Sequence, residues 1–292
     1  MRRLSLRGQL ARQGFLVLVG AFVLLPVWVL VLIATDGSII GYPGGFHPFP
    51  VEPTLDRFRE AFLREGAVLD YWGLLRNSLL VSVSAAVTAL VLGASMAYAF
   101  ARMRFPGQRV GLVALLLGVF LPPVALALPL YMLFTGLELT VPALNEWGIR
   151  DSLLALAVMY ASFAMPVCLW LMRAAFRAVP AELEEAAFVD GSTRFNAFRR
   201  ITLPLAMPSI LVGALVAFLL AYTEFALAWL FISTNENVTL AMILAEATTG
   251  FFTSNWPVTA AYALLMAIPV VVVFIVLQRA LLQSSLATSD VD

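Results

Sequence analysis

The sequence predicts an all-α fold, a polytopic membrane bundle of six transmembrane helices, and three observations carry that expectation. The 292 residues are 62% hydrophobic and 12% charged, whereas soluble domains are about 45–50% apolar and about 25% charged. Six runs are each long and apolar enough to cross a bilayer, which takes about 20 residues of helix. The basic residues sit almost entirely to one side once those runs are threaded through a membrane.

The first run, 15–34, follows Arg2, Arg3, Arg7 and Arg12. It is longer than the apolar core of a signal peptide, and "LIATDGS" offers no small-residue cleavage site, so it reads as a retained span. Residues 1–14 are then a cytoplasmic N-terminus. The loop 35–76 is external and polar, with the turn-rich "GYPGGFHPFP" followed by "PTLDRFREAF". Thr54 is placed to cap a short helix there, whose Leu55, Phe58, Ala61 and Phe62 share a face. That face serves either its own bundle or an external partner. Asn77 reads as the N-cap of the second run, 79–101, and the transmembrane core extends over 77–279.

The remaining runs are 110–134, 153–172, 205–232 and 258–277, and the tail 280–292 is cytoplasmic. With the N-terminus inside, thirteen arginines face the cytoplasm (2, 3, 7, 12, 102, 104, 109, 173, 177, 194, 199, 200 and 279). Four face outward (57, 59, 64 and 150), with Arg76 at the border. Both termini are therefore expected inside. Five runs carry proline: Pro26; Pro122, Pro123 and Pro129; Pro166; Pro208; and Pro269. Each removes a backbone donor that lipid cannot replace. The break at Pro122 and Pro123 fits either an ordinary membrane-helix kink or a segment lining a substrate path.

Composition excludes several activities. All 18 basic residues are arginine. A chain without lysine builds no standard phosphate-binding loop and no lysine Schiff base. Cys168 is the lone cysteine and lies in an apolar run, where it reads as a small buried hydrophobe. His47 is the lone histidine, so no metal site and no cofactor are expected. A net charge of zero argues against nucleic acid.

The internal loop 173–204, "RAAFRAVPAELEEAAFVDGSTRFNAFRRITLP", is longer than a link between two helices needs. Pro180 opens a short helix over 181–190, and Glu182, Glu184 and Glu185 place negative charge in its first turns. Gly191 ends that helix and a second follows over about 193–200. Such a knob suits docking into a groove on another protein. Pro204 then begins the fifth span.

Glu224 is the ionisable residue well inside an apolar run, at a depth where a carboxylate costs about 2.5–3.5 kcal/mol on insertion scales. Three readings are weighed: a helix-to-helix hydrogen bond, a place on a solute path with Tyr222, Trp229 and the Pro122–Pro123 break, or proton coupling, against which stands the lack of a second intramembrane acid, histidine or arginine.

Glu185-Ala186-Ala187, three residues, Gly191, nine residues, Ile201, one residue and Leu203-Pro204 resemble the EAA signature of ABC importer permeases. "NSLLVSVSAAVTALVLGASMAYAFARMRFPG" and "AYTEFALAWLFI" are similar to the smaller permease of maltose-type systems. The resemblance covers nearly the whole chain and implies the type-1 ABC transmembrane fold with a cytoplasmic coupling helix. It implies that Glu184, Glu185, Ala186, Ala187, Asp190, Gly191, Ile201 and Pro204 couple to an ATPase. It also implies a bacterial or archaeal plasma membrane and an assembly with a second permease, two ATPase subunits carrying ATP and Mg, and an external solute-binding protein. The solute implied is a di- or oligosaccharide; glycerol phosphate esters use similar permeases. The rivals from other classes are an ATPase-independent secondary transporter or channel and a structural membrane anchor with no transport path. The tail "QRALLQSSLATSDVD" lacks the glycine pattern of maltose-type tails.

Overall fold

The computed structural model describes residues 6–45, 47–64, 66–249 and 255–289. Arg2, Arg3 and the end of the tail expected over 280–292 lie outside the described residues. The described chain is mainly helical, with α1 (Leu6–Thr35), α2 (Asp56–Leu63), α3 (Tyr71–Arg102), α4 (Gln108–Val119), α5 (Pro123–Thr140) and α6 (Pro142–Glu146) in its first half. The second half holds α7 (Leu153–Ala178), α8 (Ala181–Val189), α9 (Arg194–Ala197), α10 (Leu203–Leu205), α11 (Met207–Thr223), α12 (Ala226–Phe231), α13 (Leu240–Thr249) and α14 (Trp256–Ser289). Among the described residues, five helices are long and apolar enough to cross a bilayer, and the pair 194–205 and 207–223, bent by 79°, makes a sixth candidate.

Two of the six expected runs are broken. The run 110–134 divides into α4 and α5, because Pro122 and Pro123 cannot continue the backbone ladder and Pro123 instead starts α5. The run 205–232 divides at Glu224, whose backbone is extended (φ −74°, ψ 129°). Nor does Pro204 begin the crossing helix: α10 ends at Leu205, the chain bends at Ala206, and Met207 starts α11.

The chain forms two compact units. One holds Met1–Tyr71 with Leu244–Ile268, and the other holds Trp72–Ile243 with Pro269 onward. In the first, Asp36 is the hub of the loop after α1. Its carboxylate accepts from the Ser38 hydroxyl (2.7 Å) and from the backbone N–H groups of Ser38 (3.0 Å), Val51 (2.9 Å) and Glu52 (3.2 Å). Those bonds, the Ser38 hydroxyl foremost, hold its carboxyl well below the usual carboxylate range, against the opposing effect of burial. Asp36 is shielded by these immediate partners rather than by depth in the protein. The Thr54 hydroxyl accepts from Asp56 N–H (3.1 Å), but the N-cap position of α2 falls on Leu55 rather than on Thr54, because the helix starts one residue later than the sequence suggests. The ring of Phe62 packs on Tyr71 at 4.6 Å, and the Tyr71 hydroxyl donates to the Leu265 carbonyl at 3.1 Å.

In the second unit α7 is the central helix. It buries Ala157, Ala161, Ala164, Cys168 and Met172, a spacing of three and four residues that defines one face. Its most extensive partner is α11, where the Cys168 thiol donates to the Gly213 carbonyl at 3.6 Å. On α3, Gly93 lets the backbones approach: a methyl group there would come within 3.0 Å of Cys168 Cβ and 3.3 Å of Leu169 N. Asn77 does not cap α3, which begins six residues earlier at Tyr71. Its amide donates to the carbonyls of Glu236 (2.7 Å) and Val238 (3.0 Å), holding the link between α12 and α13.

Candidate functional site

Two places in the second unit bring together the residues singled out in the sequence: the hairpin of α8 and α9, and a cleft at the break between α11 and α12.

The hairpin is ended sharply. Asp190 caps α8 and Gly191 takes a left-handed conformation (φ 85°). Gly191 N–H then donates to the Phe188 carbonyl (3.0 Å) and Ser192 N–H to the Ala187 carbonyl (2.9 Å). This is the Schellman closure, and glycine adopts its left-handed residue without strain. Thr193 caps the next helix through its hydroxyl, which accepts from Asn196 N–H at 3.3 Å. A π turn over Phe198–Thr202 joins α9 to α10.

Glu184 faces inward. The sequence places it with Glu185 among the outward coupling residues, yet it is 5% exposed. Its carboxylate accepts from the Tyr98 hydroxyl (3.0 Å), from Arg102 Nε (3.1 Å) and from the Thr202 hydroxyl. Arg102 Nη2 also donates to the Val179 carbonyl (2.7 Å). The rings of Tyr98, Phe176 and Phe198 pack around this cluster, with centroids 4.7–6.4 Å apart. One carboxylate thus ties α8 to the end of α3 and to the π turn. Burying it is tolerable because three donors, one of them cationic, satisfy it. Tyr98 and Arg102, four residues apart and so on one face at the end of α3, are the partners that sequence reasoning missed. Nothing local pairs them with a residue more than eighty positions away.

The opposite side of α8 is open. Glu185, Ala186 and Asp190 are exposed, and so are Leu183 (44%), Phe188 and Val189 (88%). Ala187 and Ile201 are half-buried and Pro204 is exposed. The outward face therefore presents apolar side chains beside carboxylates.

The cleft has a volume of about 320 Å³. Leu121 and Pro123 from the α4–α5 break, Tyr160 and Phe163 from α7, and Thr223 and Glu224 from the end of α11 are among its lining residues. Glu224 ends up where the helix stops, not in a continuous span. Its carboxylate accepts from Ala226 N–H (3.0 Å) and Leu227 N–H (3.1 and 3.2 Å), capping α12. The helix break supplies the donors that make an acid tolerable at this position. The Tyr160 hydroxyl is buried beside Glu224 and makes no hydrogen bond of ordinary geometry among the described residues.

Of the five path candidates, Pro123 and Glu224 line the cleft. Tyr222 is 2% exposed and stacks on Phe218 with centroids 5.2 Å apart, away from it. Pro122 caps α5 and Trp229 is exposed outside the cleft. Tyr160 and Phe163 were not anticipated; they lie in an uninterrupted apolar run with no local signal. Among the described residues, no three His, Cys, Asp or Glu side chains group as a metal site would need.

Residues 89–285 match the family model described as binding-protein-dependent transport system inner membrane component. The chain is 33% identical over 231 residues to the diacetylchitobiose uptake system permease protein DasC of Streptomyces coelicolor, covering 79% of this chain and 78% of that one. It is 32% identical over 270 residues to the trehalose transport system permease protein SugB of Mycobacterium tuberculosis, covering 90% of each. A crystal structure of a bacterial ABC transporter involved in the import of the acidic polysaccharide alginate contains a chain of the same fold, with a TM-score of 0.71, 20% identity and coverage of 96% of this chain and 99% of that one. With the family model spanning well over half of its length, the chain belongs to the binding-protein-dependent transport system inner membrane components.

Proposed function

We propose that the chain is one of two membrane subunits of an ATP-driven importer, that it passes a di- or oligosaccharide of the maltose or trehalose kind, and that α8 is where a separate ATPase grips it. In this reading the chain hydrolyses nothing. ATP and Mg belong to two ATPase subunits on the cytoplasmic side, where both termini also lie. A second permease completes the path, and an external binding protein delivers the solute. The names of the diacetylchitobiose and trehalose permeases support the sugar class, and the family's description supports the binding protein.

One observation carries the coupling role. The outer face of α8 exposes Leu183, Phe188 and Val189, while its inner face is fastened through Glu184 to Tyr98 and Arg102 of α3. A push on the outer face therefore reaches a membrane-crossing helix directly. A second route runs from the hairpin through the 79° bend at Ala206 into α11, at whose far end the cleft lies. Closure of the ATPases would tilt both helices and switch access from one side of the membrane to the other.

Purification in mild detergent from the native host tests this reading. Two ATPase copies and a second permease are expected to elute with the chain. Uptake into vesicles holding this polypeptide alone, or labelling of a cysteine placed at Val189 from outside intact cells, would overturn it.

A further inference from the structure

We propose that the cleft beside Glu224 is a solute-contact subsite for uncharged, hydroxyl-rich molecules, with Tyr160 and Glu224 as its hydrogen-bonding pair. The proposal rests on the reading of the chain as a sugar permease subunit. It adds that this chain itself meets the solute, and through which residues, and it fixes the charge class admitted.

The first observation is a buried hydroxyl at the cleft wall, beside Glu224, that is only loosely held. Tyr160 is 4% exposed, and its hydroxyl lacks a partner of ordinary geometry, although it lines the cleft. Buried hydroxyls are nearly always well paired, so one held this loosely at the edge of a cavity has capacity for an occupant. A hydroxyl both donates and accepts, and so does each hydroxyl of a sugar.

The second observation is the remaining capacity of Glu224. A carboxylate offers about four acceptor positions, and the two capped backbone N–H groups leave part of that capacity free. It needs donors, which sugar hydroxyls supply. Thr223 adds a further acceptor, since its hydroxyl hydrogen is used on the Leu219 carbonyl at 2.8 Å. The rest of the lining, including Leu121, Pro123 and Phe163, is apolar and suits the C–H faces of a sugar ring.

The third observation is charge. Glu224 is the charged residue of the lining, and no arginine joins it. A phosphate or sulfonate ester would bring negative charge to a carboxylate in a poorly screened setting. It would also find none of the guanidinium forks that normally hold such groups. Glycerol phosphate esters, open on sequence alone, are thereby disfavoured.

The test uses the importer as it purifies, with its partner subunits, in proteoliposomes loaded with ATP. Trehalose, maltose and diacetylchitobiose serve as neutral probes, and glycerol 3-phosphate as the anionic one. Glu224→Gln keeps the length and the capping oxygen; Tyr160→Phe keeps the ring. The wild type is expected to move at least one neutral probe and to leave glycerol 3-phosphate behind. Glu224→Gln should lower uptake at subsaturating solute about tenfold, and Tyr160→Phe should raise KM severalfold with kcat nearly unchanged. If the wild type imports a neutral probe but both variants match it, the subsite assignment fails while the sugar-permease reading stands. Preference for glycerol 3-phosphate overturns the charge argument. Movement of none of the four overturns the subsite and the reading beneath it together.

Discussion

Arg102 Nε lies 3.1 Å from Glu184 Oε1, joining the last residue of α3 to the buried face of α8. Their side chains are 16% and 6% exposed. Breaking a buried pair from one side leaves an uncompensated charge and typically costs about 3–5 kcal/mol. Arg102→Ala is therefore expected to lower the thermal midpoint of the purified chain sharply. Glu184→Gln, which keeps an acceptor, should do less. The double variant Arg102→Met with Glu184→Gln should recover part of the loss, and a thermal-shift double-mutant cycle measures the coupling. Strict additivity would show that the pair does not act as a unit.

The outer face of α8 makes a different prediction. Glu185 is exposed and forms no ion pair among the described residues, so Glu185→Arg should leave folding and insertion unchanged. If the face docks on an ATPase, the variant should separate ATP hydrolysis from uptake. Gly191→Val should do likewise with an added loss of stability, since a β-branched residue at φ 85° is strained by about 1–3 kcal/mol. Parallel assays of hydrolysis and solute uptake in proteoliposomes decide it, and normal coupling in both variants would remove α8 from the transmission path.

Gly93 makes a packing prediction. A methyl group there would already stand 3.0 Å from Cys168 Cβ and 3.2 Å from Met172 Cε. Gly93→Val should force α3 and α7 apart at about 1–3 kcal/mol, the usual cost of overpacking. Cys168→Gly in the same chain should relieve part of it. Monodispersity in detergent and the thermal midpoint report both effects.

Asp36 makes a pH prediction. Its folded pKa is depressed relative to about 3.9 in an unfolded chain. The stability it supplies is therefore fully present above about pH 4. It is lost as the pH falls from there towards the lower folded value. Hydrogen exchange at the Val51 and Glu52 amides should stay slow from pH 8 to 5 and quicken below 4. In Asp36→Asn both amides should be poorly protected throughout, with that acid limb absent. An unchanged acid limb in the variant would assign it to another carboxyl group.

Much of this architecture was readable from residue order alone. Long apolar runs carry their own length signal, and the helix–Gly–helix hairpin follows from Pro180 and Gly191, which act within a turn or two. What escaped was set by distant partners. Asn77 has the composition of a cap and sits where a cap would fall, yet α3 continues back to Tyr71 and the amide serves carbonyls about 160 residues away. Glu184 has the charge of a first-turn acid, and only the fold reveals Arg102 beside it. The break at Pro122–Pro123 announces itself through missing donors. The break at Glu224 does not: no proline or glycine marks it, only an acid in an apolar run followed by two N–H groups it can cap.

The π turn over Phe198–Thr202 accommodates one residue more than an α-helical turn would over the same rise. That surplus sets the phase between the two ends of the hairpin's second limb, and with it the inward aim of Thr202 at Glu184. Excising a single residue here would restore ordinary winding and rotate one end against the other by about 100°. Arg199 and Arg200 would then sweep around the limb, and the carboxylate would lose a donor. The length of this segment is thus held fixed by angular registry, so insertions and deletions there should be tolerated far less than substitutions at its exposed positions.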